Sequence, residues 1–425
     1  MSSDSIAIAG GGIGGLALGL TLHQVGIDFT IYESVSELRP LGVGVNLQPN
    51  AVRELFELGF SEDDLKSVGV PVEEWALVGL NGREIYSEPR GLFAGYTWPQ
   101  FAVHRGRFHM LLYEKLIERA GHQCIQTGHK VIGYTNLDVN GVEVVLKEKD
   151  EVRVAKHSLL IGCDGIHSEV RAKMHPTQPP IHWGGALMWR GTTIAKPVRT
   201  GASFLGLGAD RQRMVIYPIS PADPVTGMAE INWIAEITYD DPSMRDNVGW
   251  FQQVKDKSFV DYFRDWTYEW LNVPELLNGS GEVYENAMID RDPVATWVDG
   301  SVALLGDAAH AMYPTGSNGA SQAIVDARML AASFLKHGIS KPALKHYDET
   351  LCGPISELVL RNRGSGPFGL LSIVDERCGG VFEDINEIIS QPERDEFMEK
   401  YKKAAGFAKE TLNAAPPIIS KESFT

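Results

Sequence analysis

Three glycines, Gly10, Gly12 and Gly15, stand at G-x-G-x-x-G spacing directly after the apolar run Ser5-Ile6-Ala7-Ile8-Ala9. In that pattern the first glycine permits a tight turn, the second lets a pyrophosphate approach the backbone, and the third allows a helix to pack closely on a strand. Ile13 and Gly14 complete the same phosphate-facing turn. Glu33 follows about 20 residues later, where an acid accepts hydrogen bonds from ribose hydroxyls. A glycine fingerprint alone is a weak signal, but the elements that must position it come in the required order. Leu16, Leu18, Leu20, Leu22 and Val25 supply a helix that ends near Gly26, and Asp28 to Tyr32 read as a second strand with Glu33 at its end. The chemistry is dinucleotide binding; this segment by itself does not separate FAD from NAD.

Two later stretches address that choice. Ser158 to Gly162 reads as a buried strand running through Cys163 into the turn Asp164-Gly165, after which Ile166 to Arg171 opens a helix. Ser301 to Leu305 is a second buried strand ending in Gly306-Asp307. Pro314 then interrupts any helix, and Gly316 and Gly319 let a loop lie against a flat ligand. Ser317 or Asn318 is expected to cap the helix Gln322 to Leu335, leaving free N–H groups and a positive dipole end at Gly319 and Ala320. Those groups suit the edge of an isoalloxazine ring on which negative charge collects upon reduction.

In this order and spacing the three motifs resemble the single-component FAD-dependent aromatic hydroxylases, the class A flavin monooxygenases, over roughly residues 5 to 365. Shorter stretches, among them Arg39 to Pro49, Ser87 to Gly91, His104-Arg105-Gly106, Met188 to Gly191, Tyr217 to Ser220 and Asp290 to Pro293, are similar to the phenazine-carboxylate and salicylate hydroxylases within that class. The resemblance assigns Gly10, Gly12 and Gly15 to the FAD pyrophosphate, Glu33 to the ribose, Asp307 to the ribityl chain, and Gly319 with Ala320 to the flavin pyrimidine. It puts Gly44 and Val45 in a loop beside a flavin that moves between inner and outer positions, and associates Asp164 and Gly165 with both FAD and the nicotinamide cofactor. Arg105 is assigned to the pyrophosphate region, a role a guanidinium suits; a surface ion pair is the alternative.

What the resemblance implies is an enzyme that uses NADH or NADPH and O2 to hydroxylate a small aromatic or N-heteroaromatic molecule, through a flavin C4a-hydroperoxide. The flavin carries the chemistry and the protein supplies position and dryness, so no catalytic side chain is assigned. Only one glycine fingerprint occurs in the right context, so the nicotinamide donor is expected to bind transiently. The Trp-x-Trp-x-Ile-Pro signature of flavin halogenases is absent. Competing readings are a flavin oxidase or reductase, an antibiotic-modifying monooxygenase, a fold that binds NAD in place of FAD, and a flavin-binding regulator without turnover.

Residues 1–175 read as the first part of a Rossmann-like α/β FAD-binding domain of three layers, with some substrate-domain strands around 70–100. An antiparallel β-sheet substrate domain is inserted over 176–290, the FAD-binding domain returns over 291–340, and a C-terminal helical segment and tail occupy 341–425. Met228 to Thr238 alternates, with Ile231, Trp233, Ala235 and Ile237 on one face and Glu230, Asn232 and Glu236 on the other. Ala186 to Ile194, Ser203 to Gly208 and Gln212 to Ile219 are further strands. Such a sheet roofs the flavin, with Trp189, Tyr217, Trp233 and Arg190 as candidates for the substrate chamber. Core packing is the competing role for each aromatic, and a buried ion pair the competing role for Arg190. Trp250, Phe251, Phe259, Tyr262, Phe263 and Trp266 read as one packing helix, and His310 as a packing residue at a helix start. Gly353-Pro354 is expected to break or kink the helix Leu344 to Leu360, and Gly406 to Thr425 reads as a peripheral tail.

The 425 residues carry a net charge of −16, which argues against nucleic-acid binding, and 44% hydrophobic with 22% charged residues is ordinary globular composition. Cys124, Cys163, Cys352 and Cys378 are scattered, without metal-ligand spacing, so reduced thiols in a cytoplasmic protein are expected and no metal site. The run Ile6 to Leu20 has no basic residue before it and is broken by glycines, and no stretch suits a membrane span. A monomer or homodimer is expected.

Overall fold

A computed structural model describes residues 5–137, 141–240, 252–405 and 409–424. Its first sheet runs, edge to edge, Val298–Asp299, Val302–Leu304, Leu159–Gly162, Ile6–Ala9, Phe29–Glu33 and Ile125–Thr127. The last five strands are parallel, and Val298–Asp299 pairs antiparallel to its neighbour. The central strands, Ile6–Ala9 and Leu159–Gly162, are apolar and buried throughout because a parallel sheet is covered on both faces. One covering layer is the helices Ile13–Gln24, Arg105–Ala120 and Gly319–His337. Another is an antiparallel meander, His129–Asn136, Val142–Glu148 and Glu151–His157. Helices, sheet and meander share one apolar core. The fold is therefore α/β in three layers.

A second sheet of eight strands has the order Gln252–Val254, Val283–Asp290, His182–Ala195, Ala229–Thr238, Gln212–Pro218, Ser203–Gly208, Glu74–Val78 and Glu84–Pro89. It is antiparallel but for the pairing of Ser203–Gly208 with Glu74–Val78. One of its faces packs on the cluster of Phe259, Phe263, Trp266, Leu276 and Leu277. A three-stranded sheet, with Phe101–His104 between Gly44–Leu47 and Gly69–Pro71, joins the two larger sheets in sequence.

Three expectations are corrected here. Gly353-Pro354 does not break the helix, which runs as Lys341–Asn362 through Pro354. Burial of Leu344, Tyr347, Ile355, Leu358 and Val359 on both sides of the proline outweighs its intrinsic cost of about 3 kcal/mol. The aromatic run forms a 3-10 turn, Ser258–Phe263, in place of a packing helix, although Phe259, Phe263 and Trp266 are core residues; Trp250 and Phe251 lie outside the described residues. The C-terminal tail is tied down: Arg328 donates to the Ile419 carbonyl at 2.6 Å, Ile418 N–H to Glu54 at 3.2 Å and Lys421 N–H to Glu57 at 2.9 Å. Arg328 and Glu54 form a fully buried ion pair, 3.2 Å, so the tail's carbonyl completes the satisfaction of a guanidinium that cannot reach water. No helix among the described residues is long and apolar enough to cross a membrane, and all four cysteines are unpaired.

Candidate active site

The glycine turn joins Ile6–Ala9 to the helix Ile13–Gln24. Gly10 has φ +99°, and a Cβ there would lie 2.6 Å from the Cys163 carbonyl oxygen; a Cβ on Gly15 would lie 2.0 Å from the Gly10 carbonyl oxygen. These two positions are closed by backbone. Gly12 differs: its backbone is extended and a Cβ would meet nothing within 4 Å. The helix beyond it has no side-chain cap and no acid in its first turn, so its N–H groups and dipole face that open space. Ile13 is half-buried in the core, and Gly14 lets the helix approach Leu305, 2.9 Å from a Cβ built at position 14. Glu33 sits at the end of its strand with one carboxylate oxygen accepting from Gly11 N–H at 2.6 Å and the other from Val35 N–H at 2.8 Å.

The second and third segments meet the first at the sheet's C-terminal edge. Asp164 accepts from Ser168 Oγ at 2.5 Å and from the N–H groups of Glu169 and Val170 at 2.8 and 3.2 Å, so its carboxylate caps the helix Glu169–Met174. Burial raises its pKa above the ordinary carboxylate value against those hydrogen bonds. Gly306, at φ +62°, turns the chain so that Asp307 is exposed. Beneath that turn His310 Nε2 meets Asp326 at 2.5 Å, and Asp326 also accepts from Gly306 N–H at 3.1 Å. Burial opposes protonation of His310, but the Asp326 carboxylate outweighs it and the pKa is raised. His310 is thus a packing and turn-fixing residue. Asn318 precedes the helix Gly319–His337 without capping it, and Ser317 adopts a left-handed φ of +53°. The helix start at Gly319 and Ala320 is left open, and both polar side-chain atoms of Asn318 are buried without a partner. Arg105 begins its helix as an exposed side chain whose guanidinium makes a 3.5 Å contact with the Leu41 carbonyl and, among the described residues, no ion pair.

An adenine dinucleotide with a second aromatic ring system fits these features. Gly12 with the open N-terminus of Ile13–Gln24 would hold the pyrophosphate, helped by Arg105, and Glu33 at the end of the second strand would meet the ribose. Asp307 and the second open helix start at Gly319 and Ala320 would hold the flavin portion. The partnerless amide of Asn318 gives that end of the site a buried donor and acceptor to offer.

Between this region and the second sheet lies a cavity lined by Gly44, Val45 and Asn46 from one side, Pro314, Thr315 and Ser317 from another, and by sheet residues including Met188, Arg190, Tyr217 and Ile234. Strand register explains the choice of side chains. Arg190 is opposite Ile234, Tyr217 opposite Asn232, and Met188 and Arg213 flank Glu236, so alternate residues of three strands share this face. Gly44 docks on it: its N–H donates to Asn232 Oδ1 at 2.6 Å and its carbonyl accepts from Arg190 Nη2 at 3.3 Å. A Cβ on Gly44 would lie 2.7 Å from both Asn232 Cγ and Tyr217 Cε2, so only glycine permits this approach. Arg190 Nε is buried without a partner, and among the described residues no carboxylate pairs with the guanidinium. Burial raises the Tyr217 pKa, keeping its hydroxyl protonated.

Trp189 and Trp233 point the other way, which corrects their assignment to the chamber. Trp189 Nε1 donates to Glu285 at 2.9 Å and its ring stacks on Phe259 at 5.0 Å; Trp233 Nε1 donates to Thr193 Oγ1 at 3.0 Å. Both belong to the core behind the sheet. Trp233→Ala is therefore expected to cost about 3–5 kcal/mol of stability while the folded fraction binds aromatic ligands as the wild type does. Denaturant melts alongside ligand titration test this; lost binding in fully folded protein would return Trp233 to the chamber. The cavity-lining residues Met188, Arg213 and Glu236, and Asn232 beside them on the same face, were not assigned to the chamber from sequence. The signal available for two of them was polarity, because Asn232 and Glu236 alternate with apolar residues in a strand whose other face is core.

Fold and site together define an FAD-dependent flavoprotein with a cavity between its cofactor-domain loops and a second, largely antiparallel sheet. A model of the FAD binding domain family matches residues 4–233 and 274–361. The chain is 38% identical over 367 residues to the phenazine 1,6-dicarboxylic acid hydroxylase of Lysobacter antibioticus, covering 85% of this chain and 90% of that one. It is 28% identical over 344 residues to the 6-hydroxynicotinate 3-monooxygenase of Pseudomonas fluorescens, covering 79% and 84%. Among solved structures, that of Klebsiella pneumoniae HpxO with FAD and uric acid superposes with a TM-score of 0.72 at 23% identity, over 97% of each chain. A salicylate hydroxylase substrate complex does so with 0.71 at 21%, over 98% of this chain and 99% of the other. The chain belongs to the FAD binding domain family, within its aromatic-hydroxylase branch, and is a flavoprotein monooxygenase of aromatic compounds.

Proposed function

We propose that this enzyme hydroxylates a ring-fused or N-heteroaromatic carboxylate, taking electrons from NADH or NADPH and oxygen from O2. The observation that carries the reading is Arg190: a guanidinium in an otherwise mostly apolar chamber, with one carbonyl contact and, among the described residues, no carboxylate to neutralise it. Such a group is costly unless a ligand pairs with it. The names of the relatives, a phenazine dicarboxylate hydroxylase and a hydroxynicotinate monooxygenase, support a carboxylated ring as the partner. Bound FAD supplies the redox chemistry, in which one oxygen atom enters the ring, the other leaves as water and the nicotinamide gives up a hydride.

The chain's own residues supply the rest. Arg190 orients the anionic end of the ring, and Met188, Ile234 and Val215 exclude water beside it. The open helix start at Gly319 and Ala320 favours negative charge on the ring edge it faces. Tyr217, kept protonated, offers a neutral hydroxyl to a ring substituent. A reducing, cytoplasmic setting fits the four unpaired thiols.

Purified FAD-loaded protein is expected to oxidise NADH or NADPH faster when given phenazine-1-carboxylate or 6-hydroxynicotinate, with one hydroxylated product formed per nicotinamide consumed. Consumption that no aromatic acid accelerates, or that yields only hydrogen peroxide with every one of them, would refute the proposal.

A further inference from the structure

The chamber has three charged side chains among its described lining residues: Arg190, Arg213 and Glu236. Arg213 and Glu236 are directly opposite on adjacent strands, with their charged ends 2.6 Å apart and side chains only 10% and 7% exposed. The Arg213 guanidinium also lies over the Phe368 ring, 5.3 Å from its centre, so this pair is packed as well as charge-balanced. Arg190 stands one row along the same face, opposite Ile234. Its Nη2 reaches only the Gly44 carbonyl, and its Nε has no partner. Glu236 therefore neutralises Arg213 and leaves Arg190 as the one charge among the described lining residues without an oppositely charged partner.

Building on the aromatic-acid reading above, we infer that the chamber selects a ring bearing one negative charge, with Glu236 as the specificity-determining residue that turns away a second carboxylate. The row of Arg190 and the row of Glu236 are two residues apart along the strands, about 7 Å, a span that a fused aromatic ring covers. A ring whose carboxylate meets Arg190 extends its far end toward Glu236. A second carboxylate there meets a buried like charge, and the one cation beside it, Arg213, is already engaged. Repulsion of that kind discriminates between ligands by penalising the wrong one. A neutral or hydrogen-bond-donating substituent at the same end meets no such opposition.

The test is a binding titration on the FAD-loaded protein, read by the perturbation of the flavin's visible spectrum and by equilibrium dialysis. The probes are phenazine-1-carboxylate and phenazine-1,6-dicarboxylate, and the proteins wild type and Glu236→Gln. The monoacid is expected to bind the wild type at least about tenfold more tightly than the diacid. Glu236→Gln is expected to bring the two within about threefold of each other, by tightening the diacid rather than weakening the monoacid. A wild type that binds the diacid as well as the monoacid overturns the inference, as does a folded Glu236→Gln protein whose preference is unchanged. Should the variant fail to retain flavin, the wild-type ratio decides alone. If neither acid binds the wild type, this inference falls, and 6-hydroxynicotinate titrated alongside decides whether the aromatic-acid reading falls with it; if the monoacid binds and only the preference fails, that reading stands.

Discussion

Gly12→Val is expected to yield a folded, colourless protein. Position 12 has ordinary extended backbone angles, and a Cβ there touches nothing in the protein, so the substitution creates no strain in the polypeptide itself. Its branched side chain instead fills the space in front of the open N-terminus of Ile13–Gln24, where a pyrophosphate would contact the backbone N–H groups. A loss of FAD affinity of at least ~100-fold, about 2.7 kcal/mol, should accompany a melting curve like that of the wild-type apoprotein. Gly15→Ala is the informative companion. Its Cβ would lie 2.0 Å from the Gly10 carbonyl oxygen, so the apoprotein itself should be destabilised. Flavin absorbance after desalting, together with thermal melts of both apoproteins, separates a ligand cradle from a packing site. Gly12→Val protein that remains yellow would remove the cofactor from this turn.

Arg190→Met should retain FAD and lose the substrate. The side chain lies in the chamber and away from the glycine turn, so cofactor content is expected to match the wild type within error. Removing this guanidinium, which has no carboxylate partner among the described residues, should weaken an aromatic carboxylate by about 2–5 kcal/mol, seen as a rise in Kd and KM of roughly 30-fold or more. Binding of an uncharged aromatic analogue should fall far less, because methionine keeps the apolar contact. Arg190→Lys provides the sharper comparison. It keeps the charge but has no planar fork, and so should recover part of the affinity but not the orientation. A carboxylate ligand indifferent to both substitutions would show that its anion goes elsewhere, with Arg213 the next candidate. Because Arg190 also donates to the Gly44 carbonyl, flavin spectra of each variant report whether that loop has shifted.

The convergence of the three candidate cofactor turns could be read from residue order. Gly10, Gly12 and Gly15 follow one buried strand, and Asp164 and Asp307 follow two others; in a parallel sheet such turns converge at the strands' C-terminal edge. Local pattern sufficed because each turn is specified by glycine geometry over a few residues. The roles of individual acids were less legible. Asp164 looks from sequence like a ligand-facing turn residue, yet Ser168, Glu169 and Val170 occupy its carboxylate. Asn318 stands where a cap belongs and makes no cap bond. A side chain with two available partners is settled by what else is packed around it.

For the substrate sheet, alternation within Ala229–Thr238 separates two faces, one aromatic and one polar, without saying which is turned to the ligand. Aromatic residues invited the assignment of Trp189 and Trp233 to the chamber, whereas Phe259 and its neighbours bury that face and leave Arg190, Tyr217 and Glu236 lining the cavity. The Arg213–Glu236 pair joins positions 23 residues apart, and its existence depends on strand register. The amino-acid sequence by itself thus determined the three-layer cofactor fold and its glycine turns, since both arise from short-range backbone conformation and hydrophobic period. Which charges are compensated in the chamber, and which face of the sheet forms its wall, only the tertiary structure decided, because burial and ion pairing depend on contacts between segments distant in the chain.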